Sequence, residues 1–162
     1  MKRADIIIGI DPDTVKSGCA YLETGTRIIE ASSLTLPQLL DYLKFIAEKS
    51  KESEKSVIVV VEAGWLNPIS NYHTAADRKG QRIAKNVGAN HQVGKNIVSI
   101  ARSYGLEVLE QKPLRKIWRK GKISMDELNS LLISKKMGTL DRKVSQDVRD
   151  AVLISLLHAG IL

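Results

Sequence analysis

Residues 56–63, SVIVVVEA, contain five consecutive β-branched residues and then a glutamate, Glu62. Such a run leaves no polar face, so it predicts a strand buried on both sides, as in a sheet covered by helices above and below. Residues 5–11, DIIIGID, repeat the pattern and close on Asp11. Between the two runs, Leu36, Leu39, Leu40, Leu43, Ile46 and Ala47 recur at helical spacing, with Pro37 near the start. Strand, helix, strand in that order predicts a right-handed crossover and two parallel neighbours. Their C-terminal ends then lie side by side, each bearing a carboxylate. A charge in such a place is costly unless it is paired, ligated or at the rim of the sheet.

The rest of the chain extends this frame. Residues 18–23, GCAYLE, and 26–32, TRIIEAS, are divided by Thr24 and Gly25 and complete an antiparallel meander of three strands. Residues 64–80 carry no apolar period and read as a long loop, which in a compact domain is usually functional. A long helix follows, with Ile83, Val87, His91, Gly94, Ile97, Val98 and Ala101 on one face and Gly105 as its stop. Residues 106–111 form a fifth strand, and Ser124 and Glu127 stand in capping-box register before another helix. The last helix starts at Ser145 and is apolar almost all round beyond Ala151. The expected architecture is α/β: a mixed five-stranded sheet, three antiparallel strands then two parallel, with helices on both faces. A length of 162 residues fits one such domain over 1–162.

Asp147 and Asp150 are three residues apart in the first turn of the last helix, hence on one face. Taken singly, three of the four acids have structural explanations: Asp11 before Pro12 can start a turn, and Asp147 and Asp150 can sit at a helix N-terminus for the macrodipole. Glu62 has few structural jobs. Taken together, the four read as one site. Gathered carboxylates raise each other's pKa and cannot all stay ionised without cations. Hard divalent ions that prefer oxygen, Mg²⁺ or Mn²⁺, relieve that repulsion. Two of them about 3.5–4 Å apart can activate water and stabilise the leaving oxygen of a phosphoryl displacement. His73, His91 and His158 share no metal-ligand spacing, and His158 reads as a capping or core histidine.

Charge and composition narrow the partners. The chain carries 25 Lys and Arg against 18 Asp and Glu, a formal +7. A small basic protein usually meets a polyanion, and nucleic acid is the first candidate. The basic residues cluster: Lys112, Arg115, Lys116, Arg119, Lys120 and Lys122 surround Trp118, and Arg78, Lys79, Arg82 and Lys85 open the long helix. A basic run with an aromatic can hold a phosphate backbone and offer a stacking plane. The other reading is a solvated face around a buried Trp118. Trp65, Tyr72 and Trp118 all fall outside the strands and main helices, where the core least requires them. The single cysteine, Cys19, has no internal disulfide partner and reads as a small buried hydrophobe in a reducing compartment. No apolar run approaches the ~18 residues of a membrane span, and the N-terminal apolar stretch is too short for a signal peptide, so a cytoplasmic protein is expected.

The order of elements is that of an RNase H-like domain, and three segments carry a closer likeness. The stretch IIGIDPDTVKSG, then VIVVVE with Trp65 three residues after Glu62, then SQDVRDAVLISLLHA, resembles the RuvC-type Holliday junction resolvases. The likeness runs from the first strand to the last helix. It implies a crossover junction endodeoxyribonuclease, with Asp11, Glu62, Asp147 and Asp150 as catalytic acids holding two Mg²⁺ or Mn²⁺ ions. It also implies a four-way DNA junction as substrate, Trp65 as the aromatic that stacks on DNA near the branch, and a homodimer making two symmetric cuts. On this reading the DNA-binding residues are Trp65, Arg78, Lys79, Arg82, Lys85, Lys112, Arg115, Lys116, Trp118 and Lys120. The stripe Gly94, Ile97, Val98 and Ala101 is the candidate dimer interface, unless it only covers the sheet. One position departs from the family: Asp13 stands where Gly usually follows the Pro, and it reads as solvent-facing. A looser match through 64–90 and 111–145 fits a phage or prophage relative. Rival readings are an RNase H-like nuclease acting on flaps, forks or RNA–DNA hybrids, and a catalytically silent junction-binding protein. An actin-like or sugar-kinase half-domain shares the GID turn, but that fold needs two such halves.

Overall fold

In the computed structural model, which describes residues 3–67, 78–114 and 122–162, the two acid-ended runs are neighbouring parallel strands. Strand β1 (Ile6–Asp11) pairs with β4 (Val57–Glu62) in a register that runs from Ile6 opposite Val57 to Ile10 opposite Val61. Strands β2 (Ser17–Glu23) and β3 (Ile28–Leu34) continue antiparallel from β1, and β5 (Glu107–Gln111) lies parallel to β4. The sheet order is β3-β2-β1-β4-β5, which is the expected mixed sheet of three antiparallel and two parallel strands. The first hairpin closes later than TG predicts. Arg27 adopts a left-handed conformation, φ 58°, and its N–H donates to the Glu23 carbonyl, so β3 begins at Ile28.

Alternation along the central strands divides the core in two. Ile6, Ile8, Ile10, Val57, Val59 and Val61 face helices α1 (Leu36–Ser53) and α2 (Arg78–Ser103). Ile7, Ala20, Leu22 and Val60 face α3 (Met125–Ser134) and α4 (Gln146–His158). The helices begin where side chains supply the missing acceptors of a first turn. Thr35 and Gln38 form a capping box on α1, Ser124 and Glu127 form another on α3, and the Ser145 hydroxyl accepts from Val148 N–H on α4. Gly105, at φ 84°, stops α2.

Helix α2 begins at Arg78, so the basic residues Arg78, Lys79, Arg82 and Lys85 open it as expected, and the last three residues of the 64–80 segment read as a loop are helical instead. Its small-residue stripe is not an interface between copies: Gly94, Ile97, Val98 and Ala101 are buried within the chain, and the last three pack in one core with Ile6, Ile8, Ile10, Val57, Val59 and Val61. Helix α4 instead makes the closest approach to the sheet. A Cβ on Gly9 would stand 2.3 Å from the Ala151 carbonyl oxygen, and one on Gly18 would stand 2.1 Å from that of Asp147. Only glycine allows backbone to meet backbone there. Cys19 is buried, and burial pushes its thiol up to about 12, so it is the inert small hydrophobe expected. Among the described residues no helix is long and apolar enough to cross a membrane.

Candidate active site

The site begins with strand parity. Gly9 meets α4 and Val60 belongs to the α4 side of the core. Asp11 and Glu62 lie two residues further along adjacent parallel strands, so both fall on that same face at the C-terminal rim of the sheet. Both are half-buried, and both line one cleft of about 200 Å³ together with Pro12, Gly64, Trp65, Asn90 and His91. The pair of carboxylates predicted from the two apolar runs is therefore brought to one cleft.

Helix α4 carries the other two acids to the neighbouring strand. The register partner of Asp11 is Gly18, and the Asp147 backbone rests on Gly18. Asp150 accepts a hydrogen bond from the Gln146 amide at 2.8 Å, and Gln146 in turn accepts from the Arg149 guanidinium at 2.9 Å. Arg149 also donates to the carbonyls of Ile123 and Val144, so a single side chain ties the start of α4 to the segment before α3. Nothing in the sequence marks this brace, since it joins Arg149 to Ile123, 26 residues away.

Among the described residues no three His, Cys, Asp or Glu side chains come together tightly enough to hold a metal ion between them. The donor set nevertheless fits a Mg²⁺-like ion. Such ions are commonly bound through one or two carboxylates, with waters and substrate phosphates completing the octahedron. Asp11 and Glu62 supply that pair. Asp13 contributes nothing to the cleft: its carboxylate accepts from Val15 N–H at 3.3 Å and its own N–H donates to Ser17 Oγ at 3.1 Å. It is half-buried in the turn rather than fully solvent-facing.

Trp65 lies in a short 3₁₀ turn, Gly64–Leu66, directly after β4. Its ring packs on the bare backbone of Gly94 and meets the His91 ring edge to face, 6.1 Å between centroids at 75°. Burial, and then the nearby Lys95 charge, lower the His91 pKa. Asn90 accepts from Thr14 N–H at 3.2 Å. Neither Asn90 nor His91 was singled out as a site residue by the sequence. His158 is the partly buried histidine expected, hydrogen-bonded to Gln111 at 2.8 Å.

Of the basic residues, Lys79, Arg82 and Lys85 are exposed on the first turns of α2. Arg78 opens that helix. Lys112 is exposed just beyond β5, and the following Pro113 lines the cleft. Arg115, Lys116, Trp118, Arg119, Lys120 and Tyr72 lie outside the described residues.

A sheet of this order, with acids ending its two central parallel strands and helices on both faces, is an RNase H-like fold. Among solved structures the chain is similar to RuvC of T. thermophilus, determined in complex with a Holliday junction substrate. The TM-score is 0.52 at 16% identity, over 95% of this chain and 92% of that one. The RuvC-type fold implied by the three sequence segments is thus the fold observed. A yeast mitochondrial Holliday junction resolvase aligns over 98% of this chain and 80% of its own at 9% identity, with a TM-score of 0.37. No family model and no curated protein matches the sequence.

Proposed function

We propose that this chain is a metal-dependent endonuclease that resolves four-way DNA junctions by paired, symmetric phosphodiester hydrolysis. The observation that carries the reading is the in-register placement of Asp11 and Glu62 on one face of adjacent strand ends, lining one cleft. The RuvC fold supports it, since that neighbour was determined on a Holliday junction. In this reading Asp11 and Glu62 hold Mg²⁺ or Mn²⁺, with Asp147 and Asp150 completing a two-ion site once a phosphate enters. The ions, when bound, lower the pKa of water and stabilise charge on the leaving oxygen. The protein's own groups fix the acids, exclude bulk water along the Trp65 wall, and hold the backbone on either side of the scissile bond. Hydrolysis then leaves a 5′-phosphate and a 3′-hydroxyl. Two symmetric cuts call for a two-fold homodimer.

The nicking pattern on a mobile four-way junction with Mg²⁺ tests the reading. Paired nicks at symmetric positions on opposite strands are expected, with less cutting of forks, flaps, RNA–DNA hybrids and plain duplex. Preference for forks without symmetric junction cuts would replace the resolvase by another nuclease. Tight junction binding with no cutting would make it a binding protein.

The basic half of α2 gives a separate expectation. If Arg82 and Lys85 each neutralise a phosphate, Arg82→Ala and Lys85→Ala should each lower the slope of log K against log salt by about 0.9. Titration of a labelled junction at several salt concentrations measures this. Unchanged slopes would remove both residues from the DNA face.

A further inference from the structure

Within little more than one turn, α2 touches both loops that leave the acid-bearing strands. The Asn90 side-chain Oδ1 accepts from the Thr14 N–H, in the turn after Asp11. The His91 ring lies against Gly64, where a Cβ would stand 2.7 Å from its Nε2, in the turn after Glu62. At Gly94 the two loops meet on one stretch of backbone: a Cβ there would stand 2.5 Å from the Trp65 ring and 3.2 Å from Pro12 Cγ. Thr14 is 76 residues from Asn90, so this contact is made by the fold and not by local chain geometry.

We propose that Asn90, His91 and Gly94 form a clamp through which α2 sets the spacing of Asp11 and Glu62, with Asn90 and His91 as positioning residues. The inference deepens the nuclease reading and rests on it for its kinetic test. It also joins two parts of the molecule. Lys79, Arg82 and Lys85 are exposed on the same helix, and Arg82 lies about 14 Å along the axis from His91 at 1.5 Å per residue. The basic half and the residues that grip both loops thus belong to one continuous helix.

The test pairs kinetics with the fluorescence of Trp65. His91→Ala is made in the unaltered chain for kinetics and alongside Trp118→Phe for fluorescence excited at the tryptophan red edge, so that Trp65 is the sole tryptophan. The expected result is red-shifted Trp65 emission, greater acrylamide quenching and a kcat for junction cutting lowered about ten- to a hundredfold. KM should stay within about twofold, because the phosphate contacts are untouched. Asn90→Ala should lower kcat in the same way without moving Trp65 emission, and His91→Phe should restore the emission and part of kcat. Melting curves identify a variant that fails to fold, and Asn90→Ala, which removes one hydrogen bond, then carries the kinetic test. Unchanged kcat in both alanine variants, or a loss confined to KM, would overturn the clamp. If the unaltered chain cuts no junction, the nuclease reading fails alone. The fluorescence still tests the clamp: emission and quenching unmoved by His91→Ala overturn it.

Discussion

Asp11→Asn should abolish most junction cutting while leaving the fold and junction binding in place. Asn keeps the shape of the side chain and removes the charge, so the strand end and its turn are preserved. On the nuclease reading, what is lost is a negative oxygen that would hold the divalent ion, and cutting should fall by at least the factor of about 10²–10³ that loss of a single preorganised electrostatic contact to the transition state costs. Glu62→Gln should behave alike, because the two acids stand at equivalent positions of adjacent strands and line the same cleft. Single-turnover cutting of a labelled junction, with binding measured in Ca²⁺, separates chemistry from affinity. Cutting retained in Asp11→Asn would remove the catalytic assignment. Weakened binding with an unchanged cutting rate would move both acids from the chemistry to the DNA contact surface.

The expectation for these two acids came from the strongest kind of sequence signal. An apolar run without a polar face has one stable place in a helix-covered sheet, and a carboxylate that ends it must reach the rim. The caps at Ser124 and Ser145 were legible for a similar reason, since a hydroxyl before an apolar periodic stretch satisfies orphan N–H groups within the same few residues. The clamp was not legible. Asn90 and His91 are polar residues on a long helix, and nothing local shows that they meet Thr14 and Gly64. The stripe of Gly94, Ile97, Val98 and Ala101 was legible as a packing surface but not as to what it packs on, because covering a sheet and pairing two copies require the same small and apolar residues. Its burial against the sheet removes it as a surface that could pair two copies.

Gly18→Ala asks whether the α4 acids belong to the site at all. An added Cβ would stand 2.1 Å from the Asp147 carbonyl oxygen and 2.6 Å from Val148 N, both backbone atoms that cannot rotate away. The first turn of α4 must then lift from β2, and overpacking of this kind costs about 1–3 kcal/mol. At roughly 2–4 °C per kcal/mol for a chain of this size, the melting temperature should fall measurably but leave the protein folded at 25 °C. Gly25→Ala is the control, since nothing lies within 4 Å of a Cβ there, and its effect should stay within about 0.5 kcal/mol. The lift moves the first turn of α4, which carries Asp147 and Asp150, while Glu62 and the basic half of α2 lie away from the substitution; Asp11 is the register partner of Gly18, and the Asp11→Asn variant gives the loss expected from that acid alone. If all four carboxylates act on one phosphate, cutting per folded molecule should fall about tenfold or more, because reacting groups tolerate little misplacement. If cutting per folded molecule is unchanged while the melting temperature drops, Asp147 and Asp150 serve the helix N-terminus, and the chemistry rests on the Asp11–Glu62 pair alone.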